Sequence, residues 1–277
     1  MRYMKVLLYV NQKKDPFLQH SAKIARHLNK MGVQVILSGG KLEGFSEFNG
    51  NDKCDFVISV GGDGTFLQAS KIAYEYDIPI VGVNLGRLGF MPSLEINDLT
   101  KLEKILNGDF KVEERNVLNV QICSNEKNTF CGICLNDAIL KMNNPHTLEL
   151  KLFCNGQFVN KYMADGIVLS TPTGSSAYSL SCGGPIVSPA VECILATPIC
   201  AHSFSSRPIV FEAGAEITLS LCDDTEYDVY LSLDGAGEYR ISVEDNVKVV
   251  TSDKKLKILD LMICPTTNYL VKNLIFR

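Results

Sequence analysis

The chain has 277 residues, 46% of them hydrophobic and 21% charged, a balance that supports a substantial core and excludes a disordered protein. Its formal net charge of -4 excludes a nucleic-acid partner held by a basic field, and its length suits about two ordinary domains. No run approaches the ~18 consecutive apolar residues of a membrane span. The apolar stretch near Met1 stops at Asn11-Gln12-Lys13-Lys14, short of a secretory signal, so a cytoplasmic protein without a membrane partner is expected.

Lys5 to Val10 reads as a first buried strand. Asp15-Pro16 resembles an N-cap followed by Pro at the first helical position, and Phe17, Ala22, Ile24, Ala25 and Leu28 form an apolar stripe at helical spacing. Lys30-Met31-Gly32 closes that helix, and Val33 to Leu37 forms a second strand. The Gly-, Ser- and Asn-rich stretch Ser38–Asp52 reads as a loop. Asp55 to Val60 is a third strand, Phe66, Ala69, Ile72 and Ala73 mark a helix, and Ile78 to Val83 is a fourth strand. A further helix is expected from Ile96 to Leu106. Strands alternating with helices predict a Rossmann-like parallel sheet in an α/β domain, whose ligands lie at the carboxyl ends of the strands.

From about Val112 the period changes from 3.6 to 2. Val117–Ile122, Leu148–Leu152, Ile217–Leu221 and Val229–Leu233 alternate, with turn signals at Asn155-Gly156 and Asp234-Gly235. The pattern predicts an α/β domain over residues 1–111, a β-rich antiparallel domain over 112–260 and a tail over 261–277, with a short helix over Tyr269–Leu274. Ten cysteines occur in strand-like runs. Cys131-Gly132-Ile133-Cys134 has the spacing of a zinc or redox site, but no second pair accompanies it and strand alternation separates the two thiols. Reduced, buried cysteines are expected, and no metal is assigned to protein side chains.

Gly61-Gly62-Asp63-Gly64-Thr65 ends the third strand and opens a helix. Free N–H groups at a helix start, with glycines that permit close backbone approach, suit a phosphate. The carboxylate of Asp63 is out of place in such a cradle unless it caps the helix or does chemistry. Arg87, in Asn84-Leu85-Gly86-Arg87-Leu88-Gly89-Phe90, falls at the next carboxyl end, either facing the same crevice or lying on an ordinary loop. Asn136-Asp137 interrupts an apolar run and reads either as a strand-end turn or as a pair for an adenine edge and ribose hydroxyls. Asp165 to Pro185 runs from a strand into a Pro-Thr-Gly turn and a short helix crowded with hydroxyls. Either that is a Ser-rich loop, or it points many small donors and acceptors at one nucleotide.

Taken in order, Gly61–Phe66, Asn136-Asp137 and Asp165–Tyr178 closely resemble the NAD kinase family of bacterial type. The glycine turn is shared with diacylglycerol kinases and phosphofructokinases; Thr171-Pro172-Thr173-Gly174-Ser175-Ser176-Ala177-Tyr178 is far more specific. Leu85–Phe90 and His202–Pro208 also look like family segments. The resemblance implies phosphorylation by ATP of the 2′-hydroxyl of the adenosine ribose of NAD, giving NADP. It implies a Mg²⁺ or other divalent cation, an active site between the two domains, a tail that returns to the first, and a homodimer or homotetramer sharing the NAD site. Matched residue by residue, it makes Asp63 the catalytic residue, either as proton acceptor or as organiser of the metal, and Asp63, Gly64, Asn136, Asp137, Asp165, Ser176, Ala177, Tyr178 and Ser181 the NAD contacts. Gly61, Gly62, Thr65 and Arg87 would face phosphate, and His146 would either face phosphate where other members use Arg or be an ordinary loop histidine. Three departures stand out: Asp137 where many members carry Glu, Ala201 where many carry Pro, and Ala236 where Gln often follows Asp-Gly. The competing readings are a lipid or sugar kinase that shares the glycine turn, and a non-catalytic NAD-sensing module that would not need Asp63.

Overall fold

The computed structural model describes residues 4–86, 91, 93–124, 127–144, 146–203, 206–222 and 227–261. They fall into two units, one within Met1–Glu114 and Leu256–Arg277, the other within Arg115–Lys255. The helix expected over Tyr269–Leu274 lies outside the described residues.

In the first unit the order is β1 (Lys5–Val10), α1 (Gln19–Lys30), β2 (Gln34–Ser38), β3 (Ser46–Glu47), β4 (Phe56–Gly61), α2 (Asp63–Glu75), β5 (Ile80–Asn84) and β6 (Ser93–Glu95). After these come a 3₁₀ turn at Leu99–Leu102, α3 (Glu103–Leu106) and β7 (Lys111–Arg115). Strand β20 (Leu256–Asp260) comes from the far end of the chain, and the sheet order is β3-β2-β1-β4-β5-β20-β7. Neighbouring strands pair in parallel from β3 through β20. Strand β4 is buried along its whole length, as the near-continuous apolar runs of parallel sheets are. Helix α1 packs against β1 and β2 and helix α2 against β4 and β5, with Ile24, Ala25 and Leu28 of α1 and Phe66, Ala69 and Ala73 of α2 all buried.

Two helix boundaries differ from expectation. Helix α1 starts at Gln19, with Leu18 in a left-handed conformation (φ 51°) before it. Asp15 still satisfies the helix start, accepting bonds from Ser21 N and Ser21 Oγ at 2.8 Å each, but it does so from a buried position ahead of the first turn. Phe17, assigned to the stripe, is 83% exposed. The helix expected over Ile96–Leu106 is a 3₁₀ turn followed by one turn of α-helix, and the loop Ser38–Asp52 contains the two-residue strand β3.

The second unit is two antiparallel six-stranded sheets. One contains β8 (Leu118–Ser124), β9 (Lys127–Cys134), β11 (Leu148–Cys154), β12 (Gln157–Ala164), β16 (Ile217–Leu221) and β19 (Asp245–Thr251). The other contains β10 (Asp137–Met142), β13 (Gly166–Ser170), β14 (Cys193–Ile199), β15 (Ile209–Glu212), β17 (Val229–Leu233) and β18 (Ala236–Ile241). Alternation appears directly as burial in β8, β11, β16 and β17, each of which buries every second residue. Their inward residues, Leu118, Val120, Leu150, Leu219 and Leu231 among them, form one core. Each such side chain contributes roughly 1.5–3 kcal/mol by leaving water. Asn155-Gly156 and Asp234-Gly235 form the hairpin turns with φ of 51° and 75°, and 54° and 66°, the left-handed pairs that match strand twist. Among the described residues every cysteine is a free thiol; Cys131 is exposed and Cys134 buried, so they do not share a face.

Candidate functional site

The glycine turn sits at the carboxyl end of β4. Gly62 is the N-cap of α2, and Asp63 is the first residue of the helix, so Asp63 is not the cap. A carboxylate here is favoured by the positive end of the helix. Met91 N donates to Asp63 Oδ1 at 3.2 Å, holding the half-buried carboxylate from the β5–β6 connection. Asp63 lines a small pocket together with Ser59, Gly61, Gly62, Phe66, Gly82, Val83, Asn84 and Met91.

The glycines of the turn have different duties. A Cβ on Gly61 would collide with the side chain of Thr65, so this glycine is required by the fold itself. A Cβ on Gly62 or Gly64 would meet nothing within 4 Å among the described residues, so none of these demands their bareness. A ligand approaching the backbone would. Thr65, expected beside phosphate, is buried under Gly61 and its hydroxyl accepts from Asn11 Nδ2 at 3.1 Å. It shapes the turn from beneath. Arg87 lies outside the described residues.

In the second unit, Asn136 lies in the junction between two strands and Asp137 opens the second of them. Strand β9 ends at Cys134 and β10 begins at Asp137. The backbone groups of this corner are satisfied from two directions. On the amide side, Asp234 accepts from Leu135 N at 2.9 Å, Asn136 N at 2.7 Å and Asp137 N at 3.2 Å. On the carbonyl side, Thr171 Oγ1 donates to Leu135 O at 2.6 Å and Thr171 N to Asn136 O at 2.9 Å. The side-chain oxygen of Asn136 is buried with no partner among the described residues, as is Ser170 Oγ, whose residue pairs in register with Asp137. An unpaired buried acceptor costs on the order of 1–3 kcal/mol, so the pattern is that of a site awaiting a donor.

The hydroxyl-rich segment does not present all its hydroxyls together. Ser175 turns inward, donating to Pro172 O at 2.7 Å and accepting from Val187 N at 3.0 Å, and Ser179 pairs with Thr197 at 2.9 Å. Ser176 and Ala177 are half-buried, and Ser181 is exposed at the end of the short helix α4 (Tyr178–Ser181). Burial raises the phenol pKa of Tyr178, with smaller contributions from Cys182, Cys200, Asp165 and Asp137, so Tyr178 lies within electrostatic reach of both carboxylates. Asp165 is half-buried just ahead of β13, its amide donating to Ile199 O at 2.9 Å. His146 is exposed, its ring stacked on Tyr227 with centroids 4.7 Å apart.

Burial, and then the neighbouring charge of Asp234, push the Asp137 carboxyl from an ordinary 3.8 up to about 7. With the folded value raised, the folded chain binds the proton more tightly than the unfolded one. Stability from this group is therefore fully present below pH 3.8 and is lost as pH rises through about 7. Asp137→Asn is expected to stabilise the ligand-free chain at pH 8 by up to ~4 kcal/mol, with little gain at pH 4. Urea unfolding at the two pH values measures this; an equal shift at both would remove Asp137 as the source of the pH dependence.

Sequence reasoning missed Asp234, read only as a turn residue, and Asn11, read only as the end of an apolar run. Their partners lie far away in sequence, so no local pattern marks them.

Comparison with known proteins bears on both units. The ATP-NAD kinase N-terminal domain model matches residues 11–110, and the ATP-NAD kinase C-terminal domain model matches residues 135–261. An NAD kinase of Geobacter metallireducens is 37% identical over 240 residues, covering 86% of this chain and 80% of that protein. One from Desulforamulus reducens is 34% identical over 271 residues, covering 95% and 93%. Among solved structures, a yeast NADH kinase complexed with NADH shares the fold with a TM-score of 0.86 at 24% identity, covering 100% of this chain and 88% of that one. An Archaeoglobus fulgidus NAD kinase in complex with ATP does so with a TM-score of 0.72 at 23% identity, covering 94% of each chain.

Proposed function

The chain belongs to the NAD kinase family, and from that premise we propose that it transfers the γ-phosphoryl group of ATP to the 2′-hydroxyl of the adenosine ribose of NAD, giving NADP. The observation that carries the reading is Asp63, a carboxylate at a helix start among glycines, held by the Met91 amide and lining a small pocket. A phosphate cradle alone has no use for it; a hydroxyl that must lose its proton does. The match of both family models sets aside the lipid- or sugar-kinase reading, and the kinase relatives argue against a mere NAD sensor.

In the proposed step, Asp63 takes the proton of the ribose hydroxyl as its oxygen attacks the γ-phosphorus. The bond to the bridging oxygen breaks, and ADP leaves with the electron pair. Asn136, Asp137, Asp165, Ser176, Ala177, Tyr178 and Ser181 hold NAD, with Gly64 beside Asp63. The amide of Asn136's side chain, whose oxygen is buried and unpaired, suits an adenine amine. Gly61, Gly62 and Arg87 serve the donor phosphates, with Thr65 supporting the turn and His146 on its periphery. Among the described residues no cluster of three or more His, Cys, Asp or Glu could hold a metal. A divalent cation therefore fits as one carried on the ATP phosphates near Asp63, where it would neutralise charge. A homodimer or homotetramer with a shared NAD site, in the cytoplasm, completes the proposal. Among the described residues no helix is long and apolar enough to cross a membrane.

Incubation of the purified protein with NAD, ATP and Mg²⁺, followed by an NADP-specific dehydrogenase, tests the reaction. NADP is expected; its absence overturns the proposal. Parallel reactions with NADH and with inorganic polyphosphate establish the preferred acceptor and donor.

A further inference from the structure

Asp234 carries a charge that its turn does not require. It occupies the left-handed first position of the β17–β18 hairpin (φ 54°), and Asn155 fills the same position of the β11–β12 hairpin (φ 51°) without a charge. Asn and Gly both suit this conformation. The charge also works against the molecule locally, because it stands near the buried carboxyl of Asp137. What the carboxylate does uniquely is accept three successive amides: Oδ2 from Leu135 N, and Oδ1 from both Asn136 N and Asp137 N. An amide side chain has one acceptor oxygen, and its NH₂ would face a donor. The Asp234 backbone returns the contact, its N–H donating to Asp137 O at 2.9 Å.

We propose that Asp234 is a positioning residue for the nucleoside half of the reaction, its carboxylate fixing the Leu135–Asp137 corner so that the Asn136 and Asp137 side chains meet NAD. This rests on the reading of Asn136 and Asp137 as NAD-binding residues. Charge-assisted bonds to three consecutive amides fix the peptide planes on both sides of Asn136, and Thr171 fixes its carbonyl. The side chain of Asn136, whose Oδ1 has no hydrogen-bond partner among the described residues, is thereby aimed by its backbone.

The test uses the whole protein with Asp234→Gly, Asp234→Asn and Asn136→Ala. Asp234→Gly keeps the turn and removes the carboxylate; it is expected to raise the KM for NAD about tenfold or more while the KM for ATP stays within about twofold. Hydrogen exchange at the amides of Leu135, Asn136 and Asp137 should accelerate at least tenfold, with the rest of β10 still protected. Asp234→Asn, which retains one acceptor and preserves the fold should the glycine variant fail to fold, is expected to shift the same two readouts less. Unchanged exchange and unchanged NAD KM in a folded Asp234 variant overturn the proposal, and so does a parallel rise in both KM values, which marks a merely structural role. Asn136→Ala separates the two levels. If it raises the NAD KM while the Asp234 variants do not, only the positioning role fails; if it leaves the NAD KM unchanged, the reading of the corner fails and the positioning role with it.

Discussion

Asp63→Asn is expected to lower the turnover of NAD by ~10²–10⁴-fold, the span that a positioned general base contributes. Asn is nearly isosteric with Asp. It keeps an oxygen to accept from Met91 N and leaves Gly62 as the cap of α2, so the turn and its pocket should persist. Only the basicity and the charge are lost. The KM for NAD should then change by no more than about threefold, because a group that acts in the transition state shows itself in kcat. Steady-state NADP formation, with thermal unfolding as a check on the fold, reads both quantities. A variant turning over within about threefold of the parent would take the proton step away from Asp63.

Much of the fold follows from local pattern because local physics decides it. The β-branched run before Gly61 can only be a buried strand, and the parallel α/β sheet follows from strands alternating with helices of that length. Asn155-Gly156 and Asp234-Gly235 are hairpin turns because few other pairs accept φ values of 51° and 75°, or 54° and 66°. The start of α1 is illegible in sequence for an instructive reason. Asp15 bonds the amide and hydroxyl of Ser21 through a turn of loop, so its capping chemistry is displaced from its position in sequence.

The candidate site divides in the same way. Its residue types are visible in sequence wherever composition conflicts with context, as in the carboxylate among glycines at Asp63 or the polar pair between apolar residues at Asn136-Asp137. Its supports are not visible, because they are tertiary. Thr65 needs Asn11 and Gly61 to be recognised as buried framework, and the hydroxyls of Ser175 and Ser179 need Val187 and Thr197 to be recognised as internal ties. A hydroxyl-rich segment thus supplies structure and surface in alternation, where composition alone suggests a single polar face.

Gly174 joins these two levels, and its replacement is expected to act on both stability and NAD binding. A Cβ there would collide with the carbonyl oxygen of Asn136 and stand 2.7 Å from its Cα, a clash with backbone atoms that no rotamer relieves. Gly174 N also donates to Thr171 Oγ1 at 3.0 Å, and the same hydroxyl donates to Leu135 O at 2.6 Å. The Thr171–Gly174 turn is therefore stapled to the corner it presses against, and it cannot retreat without releasing both bonds. Gly174→Ala should cost roughly 1–3 kcal/mol in stability, the range for overpacking a closed interior. Because the atom displaced belongs to Asn136, the KM for NAD should also rise by about tenfold or more, with the ATP KM held within about twofold. Gly214, where a Cβ would meet nothing within 4 Å among the described residues and no left-handed φ is required, provides the matched control: Gly214→Ala should alter neither. Gly174→Ala with parental stability and parental NAD affinity would mean that the corner yields freely, and that the contact between the Thr171–Gly174 turn and Asn136 has no part in the proposed binding of NAD.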